Sequence, residues 1–168
     1  MRQVSGCFLL LLLLLLMLGL AACATGPGFD RAGVDTDIMP PRAVAEMDAR
    51  QGERVIWGGT VINVRNLEDR TRLEILAYPL DRSQRPRTGA SAAGRFLVDY
   101  PGYLETADYG SGREVTVVGE LLREQRGKVG DAEYRYPLVA AEDVYLWPRE
   151  PVREQPRVRF GIGVMLSR

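Results

Sequence analysis

Arg54-Val55-Ile56-Trp57-Gly58-Gly59-Thr60-Val61-Ile62-Asn63-Val64-Arg65-Asn66 is the stretch on which the fold turns. Val55 and Trp57 share one phase of a two-residue alternation, and Ile62 and Val64 share the other. A strand that changes its buried face midway needs a bulge or a sharp bend. The switch is expected at Gly58-Gly59, where two glycines supply the backbone freedom.

Downstream, Leu67 to Arg70 is short enough for a hairpin link into a second run, Thr71 to Leu80. Residues 81–94 are rich in Arg, Ser, Gly and Pro and read as a solvated loop. Phe96, Val98 and Tyr100 alternate along a third strand stopped by Pro101-Gly102. The segment 103–112 is irregular, with room for one helical turn. Val115, Val117 and Leu121 mark a fourth strand, and residues 127–130 give the turn into a fifth, Tyr134 to Trp147. Pro137 interrupts that fifth run and places an edge or a bulge there. The pattern is all-β: a small OB-like barrel of five to six strands, with a six-stranded sandwich as the alternative. Beyond it, Pro148, Pro151 and Pro156 make a stiff spacer. Val158, Phe160, Ile162, Val164 and Leu166 then line one face of a further strand.

Upstream, residues 24–52 are rich in Gly, Pro, Ala and Asp and read as a flexible tether, with a couple of helical turns over 42–50. Before them, Arg2, the unbroken apolar run from Phe8 to Leu20 and the small residues after it have the order of a secretory signal. The run falls short of the ~20 apolar residues a membrane-spanning helix needs, which disfavours a transmembrane anchor. Leu20-Ala21-Ala22-Cys23 has the form of a bacterial lipobox. Small side chains let a peptidase reach the backbone, and the thiol accepts a diacylglycerol group. The expected mature chain starts at Cys23 and carries a covalent diacylglycerol and an N-acyl chain, with no other cofactor. Ala24, where Asp would favour the inner membrane, points to the outer membrane bilayer as partner. The expected organisation is a signal peptide over 1–22, a lipidated N-terminus and tether over 23–52, the barrel over 53–148, and the spacer with the last strand over 149–168.

Charge and composition restrict the chemistry. The chain has 22 basic and 22 acidic residues, so no basic excess speaks for nucleic acid as a partner. It has no His, and of its two Cys, Cys7 lies in the segment expected to be removed. A His base and a Cys-rich zinc site are therefore outside its means, and neither catalytic nor metal-binding residues are assigned. Glu68-Asp69, Asp131 with Glu133, and Glu142-Asp143 sit at turns and strand margins, where a solvated face is the simpler reading than acid–base work. Ser111, between two glycines, reads as a turn, and Gly127-Lys128-Val129 lacks the ending of a phosphate loop. One plausible binding face remains, made by Arg135, Tyr136, Tyr145 and Trp147, with Tyr134, Arg123 and Arg126 nearby. Aromatic and guanidinium groups there could stack on an envelope polysaccharide or a partner protein, but packing is the favoured role.

Several pieces in order resemble the Slp family of outer-membrane lipoproteins. They are Trp57-Gly58-Gly59, Val64-Arg65-Asn66, the run Leu73 to Leu80, Gly94-Arg95-Phe96-Leu97, Gly112 to Val117, Tyr134-Arg135-Tyr136-Pro137 and Leu146-Trp147. Two positions depart: Tyr103 stands where Phe is expected, and Gln84 precedes Arg85-Pro86 where Gly is usual. The resemblance implies an outer-membrane lipoprotein facing the periplasm, associated with stationary-phase or envelope-stress states. It offers no catalytic residues to transfer.

Overall fold

The computed structural model describes residues 26–149. The signal segment, Leu20 to Cys23 and the expected strand over 157–166 lie outside the described residues.

Strands β1 (Arg54–Asn66), β2 (Arg70–Tyr78), β3 (Arg95–Pro101), β4 (Glu114–Val129) and β5 (Ala132–Leu146) close into a barrel in the order β1-β2-β3-β5-β4. All neighbouring pairs are antiparallel except β3 with β5, which run parallel. This is the OB-type order that a long bent first strand implies. Alternation puts Val55, Trp57, Val61, Leu73, Ile75, Phe96, Val98, Val115, Val117 and Val139 inside, all buried. Each such side chain contributes roughly 1.5–3 kcal/mol when taken out of water. Val129 pairs with Ala132, so β4 and β5 are joined by a two-residue turn with Gly130 (φ 60°) in first position, as hairpins favour.

The phase switch in β1 is real, but it does not lie at the glycines. Val61 pairs with Ile75 and Asn63 with Glu74, so the extra residue is Ile62. Gly58 and Gly59 stay in register with both neighbours, opposite Tyr78 and Ala77 on β2 and Thr116 and Val115 on β4. They serve close approach instead: a Cβ on Gly59 would stand 2.0 Å from the Leu76 carbonyl oxygen. The bulge expected in the fifth run at Pro137 lies instead on the facing strand β4, and Pro137 itself stays in register with Glu124. Leu121 pairs with Val139 and Arg123 with Leu138, leaving Leu122 over one step before the Glu124–Pro137 pair.

The segment taken for a flexible tether is folded onto the barrel through residues 26–52. Pro40 and Pro41 preset the first turn of α1 (Pro40–Ala45), and α2 (Met47–Arg50) follows. Pro40, Ala43, Val44 and Met47 recur at helical spacing and are all buried. Ile38 and Ala43 join the inner core, and the Trp57 indole N–H donates to the Ile38 carbonyl at 2.8 Å. The loop from β3 to β4 makes one helical turn, with the Tyr109 N–H on the Glu105 carbonyl, and sends Leu104 into the same core. Among the described residues no helix is long and apolar enough to cross a membrane.

Candidate functional site

The β5 alternation fixes where the proposed binding residues point. Val139 and Ala141 face inward, as do Val144 and Leu146 after an extra residue at Glu142. Tyr136, Tyr145 and Trp147 therefore project from the outer side of the sheet, but at two places. Eleven residues separate Tyr136 from Trp147, about 36 Å along a strand. The structure does not bring the four residues together.

At the first place the long β4–β5 arm lies over the outer face of β2 and β3. Tyr136 is buried with Leu97 and Leu138 and packs against Tyr134 with ring centroids 4.6 Å apart and planes tilted by 58°. Its hydroxyl is 3.1 Å from Glu74 Oε1 and 3.2 Å from the Lys128 carbonyl, while Arg95 holds the same Glu74 oxygen at 2.7 Å. Beside it Arg72 forks onto Asp99 (2.6 and 2.7 Å) and reaches Gln125 at 3.3 Å. Arg135 stands exposed on the arm, paired with Glu124. OB barrels take ligands on this face, but here the chain's own arm covers it and leaves a cleft of about 190 Å³.

Burial first, and then the neighbouring Glu74 carboxylate, push the Tyr136 hydroxyl up to about 12 from an ordinary 10.0. A native value above the unfolded one means this contribution is intact below pH 10 and is lost as pH rises towards 12. Tyr136→Phe should therefore lose less stability between pH 10 and 12 than the natural chain. Urea denaturation at stepped alkaline pH measures it, and equal slopes would refute the assignment.

At the second place Trp147 closes β5 against β4. Its N–H donates to Thr116 Oγ1 at 2.9 Å, Tyr145 packs edge-on at 4.9 Å, and the Arg85 guanidinium lies 5.4 Å from its ring centroid. Above it the loop after β2 is built on Asp81, whose carboxylate accepts from the Ser83 hydroxyl and the Ser83 and Arg85 N–H groups. The Ser83 hydroxyl bond, followed by those backbone bonds and the Arg85 charge, holds the Asp81 carboxyl below its ordinary value. Gln84 is the chain's one non-glycine residue with positive φ among those described (69°), a backbone conformation that favours the Gly expected there. Its amide compensates by clasping Phe29 from both sides, accepting from the Phe29 N–H (2.9 Å) and donating to its carbonyl (2.7 Å).

An open cleft of about 650 Å³ adjoins Trp147, lined by Arg85, Arg87, Arg113 and Arg149 against Asp81 and Glu114. Glu114 is paired with Arg85 at 2.8 Å, and Arg113 is tied to the carbonyls of Asp108 and Trp147. Ser111 lies on the cleft wall in the turn before β4. The cleft offers guanidinium donors, and both its carboxylates are engaged. The other paired carboxylates are dispersed: Asp69 on Arg70 and Glu142 on Arg54. Among the described residues no group of three or more His, Cys, Asp or Glu is placed to hold a metal.

Sequence reasoning looked for guanidinium partners at Arg123 and Arg126, which lie on the arm, and missed those at 85, 87, 113 and 149. The only local signal was the arginine density of the loop after β2. The rest depends on strand pairing.

Strand order and cleft define a single-barrel module of OB type with an arginine-lined end where its N-terminal segment enters. The chain belongs to the outer membrane lipoprotein Slp family, whose model matches residues 20–162, and is an outer-membrane lipoprotein on that ground. It is 32% identical over 131 residues to the uncharacterized lipoprotein YeaY of Escherichia coli K12, covering 76% of this chain and 66% of that one. To the outer membrane protein Slp of the same organism it is 30% identical over 130 residues, covering 76% and 69%. An uncharacterized protein of Haemophilus influenzae is 31% identical over 100 residues, covering 59% and 54%. The matches thus span from about half to just over two-thirds of these relatives.

Proposed function

We propose that the chain is a non-enzymatic envelope protein, fixed to the outer membrane by acyl chains on Cys23 and facing the periplasm. The observation that carries this reading is Leu20-Ala21-Ala22-Cys23 standing at the end of the apolar core, within the region that matches the family. Cleavage before Cys23 exposes an N-terminus for a third acyl chain. At ~0.8 kcal/mol for each buried methylene, two or three chains hold a small domain on a bilayer almost permanently. The lack of any His, and the engagement of both cleft carboxylates, support a role without catalysis. A near-neutral charge speaks against nucleic acid as partner. Capture of an envelope polysaccharide or partner protein on the aromatic face is the less supported reading, because Tyr136 and Trp147 are spent in packing.

Cells grown with radiolabelled palmitate should label the natural chain and not Cys23→Ala. Equal labelling of the two would remove the anchor.

A further inference from the structure

We propose that the arginine-lined end of the barrel docks on the bilayer surface, its guanidinium groups against the phosphates of anionic phospholipids. This rests on acylation of Cys23.

The argument is one of reach. Consecutive Cα atoms are 3.8 Å apart, so the Cα of Cys23 lies at most about 11 Å from that of Gly26. Gly26 is pressed onto the barrel: a Cβ there would meet the Ser83 carbonyl oxygen at 2.3 Å and the Trp147 ring at 3.3 Å. Behind that contact the Gln84 clasp on Phe29 fixes the same segment. The lipid attachment point is therefore held beside the Trp147 cleft on a short leash. The turn between β1 and β2 lies the nine-residue length of β2 away from this loop, about 30 Å, and the β4–β5 turn, at the far end of the fifteen-residue β5, is farther. The end bearing the loop after β2 is the one that must meet the membrane.

Charge is distributed to match. The cleft carries four arginines against two carboxylates in a chain whose total is balanced, and Arg82 stands exposed on the same loop. The far turns mix their charges, with Glu68 and Asp69 beside Arg70, and Asp131 and Glu133 beside Lys128. A guanidinium fork fits phosphate oxygens two at a time, which an ammonium cannot do. The attraction of an anionic surface fades over roughly 8–10 Å, and a leash of at most about 11 Å from Cys23 to Gly26 brings this end of the barrel to the margin of that layer.

The test uses the full, processed and acylated chain in phosphatidylcholine vesicles with or without phosphatidylglycerol. A spin label is placed at Gly89→Cys, where a side chain meets nothing within 4 Å, or at Asp131→Cys on the far turn. With phosphatidylglycerol present, collisions with an aqueous nickel complex should be several-fold fewer at position 89 than at 131. The contrast should shrink in phosphatidylcholine alone and in the Arg82→Gln, Arg87→Gln, Arg149→Gln triple variant. Equal accessibility at both positions in a chain that carries palmitate would overturn the docking and leave the anchor standing. A chain without palmitate would instead overturn the anchor, and the docking with it.

Discussion

Trp57→Ala should lower the stability of the barrel by about 3–5 kcal/mol and loosen the N-terminal segment in the same step. The indole is buried at 4% exposure and meets Phe96 edge-on, with centroids 5.2 Å apart and rings at 74°. Truncation removes that packing and leaves a cavity that neighbouring strands, fixed by their ladders on both sides, cannot close. It also leaves the Ile38 carbonyl without its donor. That bond, together with the burial of Ile38, joins the segment before α1 to the inside of the barrel. Equilibrium urea unfolding gives the stability, and amide exchange over residues 38–50 reports the segment. Trp57→Phe separates the two effects: it keeps much of the packing, loses the donor, and should cost about 1–3 kcal/mol with most of the loosening retained. If Trp57→Ala destabilised the barrel while exchange over 38–50 stayed unchanged, the indole would be a core residue alone.

Much of this architecture is legible in the amino-acid order, because a barrel strand must alternate and its turns must carry residues suited to them. The bounds of β1 are those its alternation marks, and the stops at Pro101-Gly102 and Gly130 are chemical ones. The placing of the β1 bulge was less accessible. Paired glycines mark either extra backbone freedom or the absence of a Cβ where strands touch, and the two needs leave the same letters. The N-terminal segment misled for a different reason. Its composition is that of a linker, yet Pro40, Ala43, Val44 and Met47 hold a helical period over two turns, too short to stand out beside so many glycines and prolines. The cleft was the least legible part. Arg85 comes from the loop after β2, Arg113 from the turn into β4 and Arg149 from the end of β5. Only the pairing of β1 with β2 and β4, and of β4 with β5, makes them neighbours. The aromatic residues of β5 share the outer side of the sheet because of the extra residue at Glu142, but the length of the arm, which alternation alone does not convey, sends them to separate sites.

Gly59→Ala is expected to destabilise the fold by about 1–3 kcal/mol or more, although it adds a single methyl group in the middle of a strand where alanine is normally the better residue. Glycine in a strand interior ordinarily costs chain entropy, so replacement in open space should be neutral or slightly favourable. At Gly59 there is no such space. The new carbon would fall 2.0 Å from the Leu76 carbonyl oxygen, 2.7 Å from its carbon and 2.8 Å from the Ile75 Cγ2. The oxygen belongs to the β2 backbone, which cannot turn aside as a flexible side chain could, so β1 and β2 must separate locally. Gly59 pairs with Ala77 on one side and Val115 on the other, so that separation strains both ladders of β1. Gly89→Ala is the control, since a Cβ there meets nothing within 4 Å, and it should change stability by no more than about 0.5 kcal/mol. Thermal and urea unfolding of the two variants decide the matter. Equal stabilities would mean that β1 and β2 are not held at the distance the barrel requires, and the closure itself would then have to be redrawn.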